Sequence, residues 1–329
     1  MLKIGNVALP QPFFQTALSG YSDRAMREIA REFGSPLTVP GVMLDTSVIH
    51  MASKPKKRKL IACENEAHPI AAQIMGATAE NMVAAAKIME ELNYDIIDLN
   101  FACPVPKVLR RERGGYMMSQ PDVLVDMYKQ IKDAVNVPVT MKIRAGYDET
   151  AESIEKFWEI CERTVAHDID ALMIHGRNVV QRYRGFPDWK ILAEVKQKFP
   201  DTTLLTSGNL FSAKTVVKRL AETKCDGALI ARGCIGNPWI FKEIISLLDG
   251  TPYTDPTVAE QGDVILRHFN TILQDYPEVT SVFMFRKFTA KYTRRHPDKT
   301  DVHLAMMKAV SKDELYATIK EYYGVENSV

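Results

Sequence analysis

The sequence predicts an α/β fold: a (β/α)8 TIM barrel followed by a C-terminal helical domain. Three observations lead there. Eight short apolar runs alternate with amphipathic helices through the first 240 residues. The turn after the first run reads Leu18-Ser19-Gly20-Tyr21-Ser22-Asp23. It lacks the GxGxxG spacing that opens a dinucleotide-binding doubly wound sheet, the rival architecture. Beyond Leu248-Asp249-Gly250-Thr251-Pro252 the β-like alternation stops and helical patterns take over. The chain therefore divides into a barrel over residues 1–248 and a helical domain over 249–329.

The strand candidates are Pro12 to Ala17, Leu37 to Pro40, Ile70 to Met75, Asp95 to Leu99, Val137 to Ile143, Ala171 to Ile174, Thr203 to Thr206 and Ala228 to Ile230. Between them, Glu80 to Leu92 reads as a helix rich in Ala, Met and Glu. Ser119-Gln120-Pro121-Asp122 has the form of a capping box with proline in the first turn. It opens a helix whose Leu124, Met127, Ile131 and Val135 share a face. Ser153 is expected to begin another, with Ile154, Phe157, Trp158, Cys161 and Val165 inward, and Ser212 to cap a third. The helical domain reads as Val264 to Tyr276, Val279 to Arg295, Val302 to Val310 and Asp313 to Tyr323. At about 75 residues it is small for independent stability and is expected to dock on the barrel.

Composition sets limits. Of 329 residues 46% are hydrophobic and 25% charged, with a net charge of +1, which describes neither a membrane protein nor a general polyanion binder. No apolar run approaches a membrane span, and the first residues lack the form of a secretion signal, so the expected location is cytoplasmic. Cysteines 63, 103, 161, 225 and 234 are widely spaced. No CxxC pair and no His spacing of a metal site accompanies them, so no metal is expected. Charge is nevertheless clustered. Lys54-Pro55-Lys56-Lys57-Arg58-Lys59 packs five cations into six positions. Arg286, Lys287, Lys291, Arg294, Arg295 and Lys299 form a second basic stretch.

The chemistry-bearing residues fall at the C-terminal ends of the strands, where barrel enzymes place their sites. Asn100, Cys103 and Lys107 follow the fourth strand, with Arg110, Arg111 and Arg113 in the same loop. Lys142 and Arg144 share one face of the fifth, and two like charges facing a packed centre call for something anionic or electron-rich. His175-Gly176-Arg177 follows the sixth. Thr206-Ser207-Gly208-Asn209 and Ala231-Arg232-Gly233 follow the seventh and eighth, the usual phosphate-binding loops of this architecture. Gln73 on the third strand suits the amide edge of a flat heterocycle. Together these groups describe a planar heterocycle with a phosphate tail, a description that FMN meets better than NAD.

A family likeness now rests on these residues. Ser19-Gly20-Tyr21-Ser22-Asp23, Gln73-Ile74-Met75-Gly76, Asp98-Leu99-Asn100-Phe101-Ala102-Cys103-Pro104, Lys107-Val108, Met141-Lys142-Ile143-Arg144, Ile174-His175-Gly176-Arg177, Ser207-Gly208-Asn209 and Ala231-Arg232-Gly233 through Gly236-Asn237-Pro238-Trp239 run in the family's order. The chain resembles the tRNA-dihydrouridine synthases, FMN-dependent barrels with a C-terminal helical domain. The resemblance implies cofactor contacts at Leu18, Gln73, Lys142 and His175, and phosphate contacts at Gly208, Asn209, Arg232 and Gly233. It implies substrate contacts at Asn100, Lys107, Arg177, Arg286 and Lys287. It further implies that NADPH or NADH reduces FMN, that hydride passes to C6 of a uracil, and that Cys103 is the acid protonating C5. The partner implied is tRNA or another structured RNA. Ala102, Arg113 and Gly41 stand where the family commonly has glycine, a small residue and an acidic one. Two other readings remain open: an ene-type or dihydroorotate-type flavoenzyme acting on a small molecule, and a non-catalytic RNA-binding barrel.

Overall fold

The computed structural model describes residues 1–63 and 65–325; residues 326–329, the end of the expected helical domain, lie outside it. The chain opens with an antiparallel hairpin that the sequence reading did not anticipate. Its strands are β1 (Leu2–Ile4) and β2 (Val7–Leu9), and Gly5, at φ +55°, supplies the positive dihedral its two-residue turn needs. Eight parallel strands follow: β3 (Phe13–Gln15), β4 (Met43–Leu44), β5 (Ala71–Met75), β6 (Ile96–Asn100), β7 (Val139–Arg144), β8 (Ala171–His175), β9 (Leu204–Ser207) and β10 (Gly227–Ile230). Their order is β3-β10-β9-β8-β7-β6-β5-β4, a barrel sequence, and a helix follows each strand in the chain.

Strand two departs from expectation. Leu37–Pro40 forms no regular strand. Thr38 alone bridges Gln15 on one side and Ile70 on the other, and regular pairing begins only at β4, against Ile74 and Met75. Pro40 has no N–H for a ladder, so side chains substitute. Gln15 N donates to Ser35 Oγ at 2.9 Å, and Val39 N donates to Gln15 Oε1 at 3.2 Å. Gln15 Nε2 donates in turn to Ser22 Oγ at 2.9 Å and to Val39 O at 3.3 Å. One buried glutamine thus stitches β3 to the residue that closes the barrel.

The pleat sorts the side chains. Inward positions carry Phe14, Ala71, Ile96, Ala171, Met173, Leu205 and Leu229, which pack with Leu2, Ile4 and Leu9 so that the hairpin stoppers the N-terminal mouth. Outward positions such as Ile74, Leu99, Met141, Ile143 and Leu172 pack among the helices.

Two expected helix starts move. Ser119 ends a 3-10 turn, Gly114–Ser119, and its hydroxyl donates to Tyr116 O at 2.8 Å; the helix Pro121–Ala134 begins after it without a side-chain cap. Ser153 lies inside the helix Ala151–Val165, whose cap is Thr150. The Ser153 hydroxyl instead accepts from Tyr147 N at 2.7 Å and Asp148 N at 3.0 Å, and Ile154 faces solvent. Ser212 caps Ala213–Thr223 as expected.

After the barrel come helices Val258–Asp275, Glu278–Tyr292, Lys299–Lys308 and Lys312–Tyr323. The first starts six residues before the expected Val264, because Thr257 and Glu260 form a capping box. These helices share a core with the barrel. Phe13, Ile29, Phe33 and Phe241 on one side meet Val264, Ile265, Phe269, Phe285 and Tyr292 on the other.

Replacing Gln15 with leucine keeps the volume and deletes the stitch, orphaning Val39 N. The urea midpoint is expected to fall by the equivalent of roughly 1–3 kcal/mol, with the slope of the transition unchanged. An unchanged midpoint would show that the stitch does not hold strand two.

Candidate active site

The polar half of the barrel interior lies at the C-terminal ends of the strands. Register makes its members neighbours: Gln73 pairs with Asp98, Asp98 with Thr140, Asn100 with Lys142, Arg144 with His175, and His175 with Ser207. A cleft opens above them. Its walls are Ala17, Leu18, Ala102, Leu210 and Leu229. Gln73, Asn100, Cys103, Lys142, Arg144 and His175 face one part of it, and Ser207, Gly208, Asn209 and Arg232 another.

The structure brings most of the expected site residues together there. Leu18, Gln73, Asn100, Cys103, Lys142, His175, Gly208, Asn209 and Arg232 all line the cleft. Gly233 does not line it. A Cβ at Gly233 would come 2.2 Å from Leu210 O, so this glycine lets the loops after β9 and β10 touch. Arg177 is 1% exposed and works on the neighbouring loop, donating to Arg184 O at 3.0 Å, Gly185 O at 2.6 Å and Asn209 Oδ1 at 3.1 Å. Lys107 sits exposed on the short helix Pro106–Leu109, outside the cleft. Arg286 and Lys287 are both engaged within the protein. Arg286 donates to Ala309 O at 2.7 Å, and Lys287 Nζ lies 3.4 Å from Asp23 Oδ2.

Asp98 and Tyr183 received no site role from the sequence, and Arg144 only a place beside Lys142 on the inward face. Asp98 was readable: it lies two residues before Asn100 and must share its face. Arg144 is 2% exposed, and it donates to Ala102 O at 2.7 Å, Asn178 O at 2.9 Å and Arg182 O at 2.8 Å, joining two cleft loops. Tyr183, in an irregular loop with no periodicity to announce it, stands between Arg144 and Arg232, 5.7 and 4.9 Å from their guanidinium carbons.

The cleft is electropositive. Burial pulls Lys142 down to about 8 against the attraction of Asp98, with Arg144 depressing it further. His175 falls well below its ordinary value, first through burial and then through Arg144, Lys142, Arg177 and Arg232. It is neutral at pH 7, and its Nε2, 3.3 Å from Arg177 Nη1, accepts from that guanidinium. Burial raises Cys103, so its thiol keeps its proton at neutral pH. The other four cysteines are buried; Cys234, nearest the β10 loop, is pushed up to about 12 and donates to Ala231 O at 3.1 Å.

These residues fit a flat heterocycle with an anionic tail. Gln73, Asn100 and Lys142 present amides and an ammonium beside apolar walls. The Ser207 hydroxyl is buried without a partner at the cleft floor. At the far end Gly208, at φ +119°, turns the backbone, and Arg232 donates to Asn209 Oδ1 at a long 3.5 Å, leaving most of its N–H groups for an anion.

A family model described as dihydrouridine synthase matches residues 16–325. The chain belongs to the dihydrouridine synthase family. Among relatives in the family, a probable tRNA-dihydrouridine synthase of Rickettsia bellii is 28% identical, over 92% of this chain and 91% of that one. A tRNA-dihydrouridine synthase B of Pasteurella multocida is 30% identical, over 88% of this chain and 86% of its own length. Solved structures repeat the fold at low identity. A 2-naphthoyl-CoA reductase superposes with TM-score 0.57 and 14% identity, over 76% of this chain and 52% of that one. The histamine dehydrogenase of Rhizobium sp. 4-9 gives 0.55 and 14%, over 82% of this chain and 50% of its own.

The depressed His175 has a consequence for this member of the dihydrouridine synthase family. Unfolded histidine takes up a proton near pH 6.5 while the buried ring does not, so its contribution is intact above that pH and is lost progressively below it. Thermal midpoints measured from pH 7 to 5 should fall more steeply for the wild type than for His175→Gln. Equal slopes would contradict a neutral buried His175.

Proposed function

We propose that this chain reduces uridine to 5,6-dihydrouridine in tRNA, using FMN reduced by NADPH or NADH. What carries the reading is one juxtaposition: a protonated thiol on the rim of a cationic cleft whose floor suits a flavin. Bound reduced flavin supplies hydride to C6 of the uracil. Gln73, Lys142 and His175 hold the ring system, with Leu18 packing against it. Gly208, Asn209 and Arg232 hold its phosphate, and Gly233 keeps their two loops in contact. Cys103 holds the proton that C5 requires, and burial keeps it there at neutral pH. Asn100, between Gln73 and Cys103, is placed to meet the target base, and Arg177 fixes the loop beside it.

The base must leave its stack to reach such a recess, so the surrounding surface has to grip the RNA backbone. Lys107, Arg110 and Arg111 are exposed on the loop following β6, whereas Lys54, Lys56, Lys57 and Lys59 are exposed beyond helix Asp45–Ala52, on a segment that Arg58 ties to Glu91 at the opposite end of the barrel from the cleft. From the helical part, Lys291 feels the charges of Arg294 and Arg232. Arg286 and Lys287 support this surface from within. We assign residues 1–248 to catalysis and 249–329 to RNA binding. A cytoplasmic location fits the substrate; no helix among the described residues is long and apolar enough to cross a membrane.

The test is direct. Purified protein incubated with FMN, NADPH and unmodified tRNA should yield dihydrouridine by mass spectrometry. Cys103→Ala should bind flavin normally yet turn over about 10²- to 10⁴-fold more slowly, the usual weight of a lost general acid. Flavin binding without any RNA product, alongside reduction of a small enone, would replace this reading with an ene-type activity.

A further inference from the structure

Asp98 is 1% exposed, and the reaction as proposed gives it no part. Its surroundings form one directed chain. Asp98 Oδ2 accepts from Gln73 Nε2 at 2.6 Å, and Oδ1 accepts from Thr140 Oγ1 at 3.0 Å. Gln73 Oε1 then accepts from Asn100 Nδ2 at 2.7 Å. Asn100 Oδ1 accepts from the backbone N–H groups of Ala102 and Cys103, both at 3.1 Å.

Each primary amide in this chain has two orientations that differ only by exchanging a donor for an acceptor. A carboxylate offers no donor. Facing it, Gln73 must turn its NH₂ inward and its oxygen toward Asn100. Asn100 must then turn its own NH₂ to Gln73 and its oxygen to the loop. Reversing Gln73 sets oxygen against carboxylate and N–H against N–H; reversing Asn100 sets its oxygen against the Gln73 oxygen and its N–H groups against those of Ala102 and Cys103, all in a buried place where unmade bonds are costly. Burial raises the Asp98 carboxyl, and the hydrogen bond from Gln73, the charge of Lys142 on the strand beside and the hydrogen bond from Thr140 oppose that rise and favour the carboxylate.

We propose that Asp98 is the positioning residue of this site: its carboxylate sets the amide orientations of Gln73 and Asn100 and, through the Cys103 backbone, the place of the thiol. The proposal rests on the flavin reading for what Gln73 and Asn100 present to a ligand. Its effect on the thiol stands on the protein alone.

Flavin-free protein separates the two. FMN titrated into it is followed by quenching of flavin fluorescence, and alkylation of Cys103 by iodoacetamide is followed by mass spectrometry of its peptide. Asp98→Ala should weaken FMN binding at least about tenfold, the effect of losing one buried hydrogen-bonded anchor. It should also change the Cys103 alkylation rate at least about threefold, as access and setting of the thiol change. Asp98→Asn should recover most of both, because its amide oxygen accepts from Gln73 while its NH₂ donates to Thr140. Gln73→Glu, which sets a carboxylate oxygen against Asp98 without emptying either position, should reproduce the alkylation change even if Asp98→Ala does not fold. Wild-type FMN affinity and thiol reactivity in Asp98→Ala or wild-type alkylation in Gln73→Glu would overturn the proposal. So would Asp98→Asn behaving like Asp98→Ala. Wild-type protein that takes up no FMN would instead sink the flavin reading, leaving the alkylation results to judge Asp98.

Discussion

A strand in a closed parallel barrel sends every second side chain inward, and those positions must fill a space that water scarcely enters. Here they change character along the barrel axis. Near the N-terminal end they are Ala71, Ile96, Met173 and Leu205, sealed by the hairpin of β1 and β2. One pleat further on they become Gln73, Asp98, His175 and Ser207. The apolar layer therefore serves as the dry floor on which polar groups are stacked. Because the floor excludes water, Gln73, Asp98 and His175 must find partners among neighbouring polar side chains, while the Ser207 hydroxyl is left unpartnered at the cleft. That requirement is why register, rather than any loop conformation, decides which residues meet.

The charge balance follows from the same confinement. Lys142, Arg144, Arg177 and Arg232 surround His175, and each of them lowers its proton affinity. Asp98 is the acid within this group that answers Lys142. A cleft with this excess of fixed positive charge, and with guanidinium groups already spent on backbone carbonyls at Arg144 and Arg177, is arranged to receive an anion without rearranging.

Much of this was legible in the chain. Seven of the eight strand positions, their polar C-terminal ends and the helical tail follow from periodicity and turn chemistry, which are local properties. The cleft set of Gln73, Asn100, Cys103, Lys142, His175, Gly208, Asn209 and Arg232 was readable because each follows or ends an apolar run. What escaped depends on distant partners. Thr38 closes the barrel only because Gln15, from another strand, satisfies the backbone beside Pro40. Tyr183 reaches the cleft only because two arginines grip its loop by the carbonyls. Lys287 has the look of an RNA contact in sequence, yet it lies beside Asp23, which caps the first helix of the barrel. A cation's sequence neighbours say little about which acid the fold will bring to it.

The core that runs from Phe13 and Phe241 into Phe269, Phe285 and Tyr292 has a bearing on how such a protein can diversify. Two parts joined by a linker can be exchanged as cassettes, and a new target acquired by swapping one for another. Parts that share buried aromatic rings are inherited as one body with one geometry. A lineage built on this plan changes what it recognises by editing surface side chains around a constant angle between helices and barrel. Its history should accordingly be written in the exposed loop after β6, while the seam itself stays conservative.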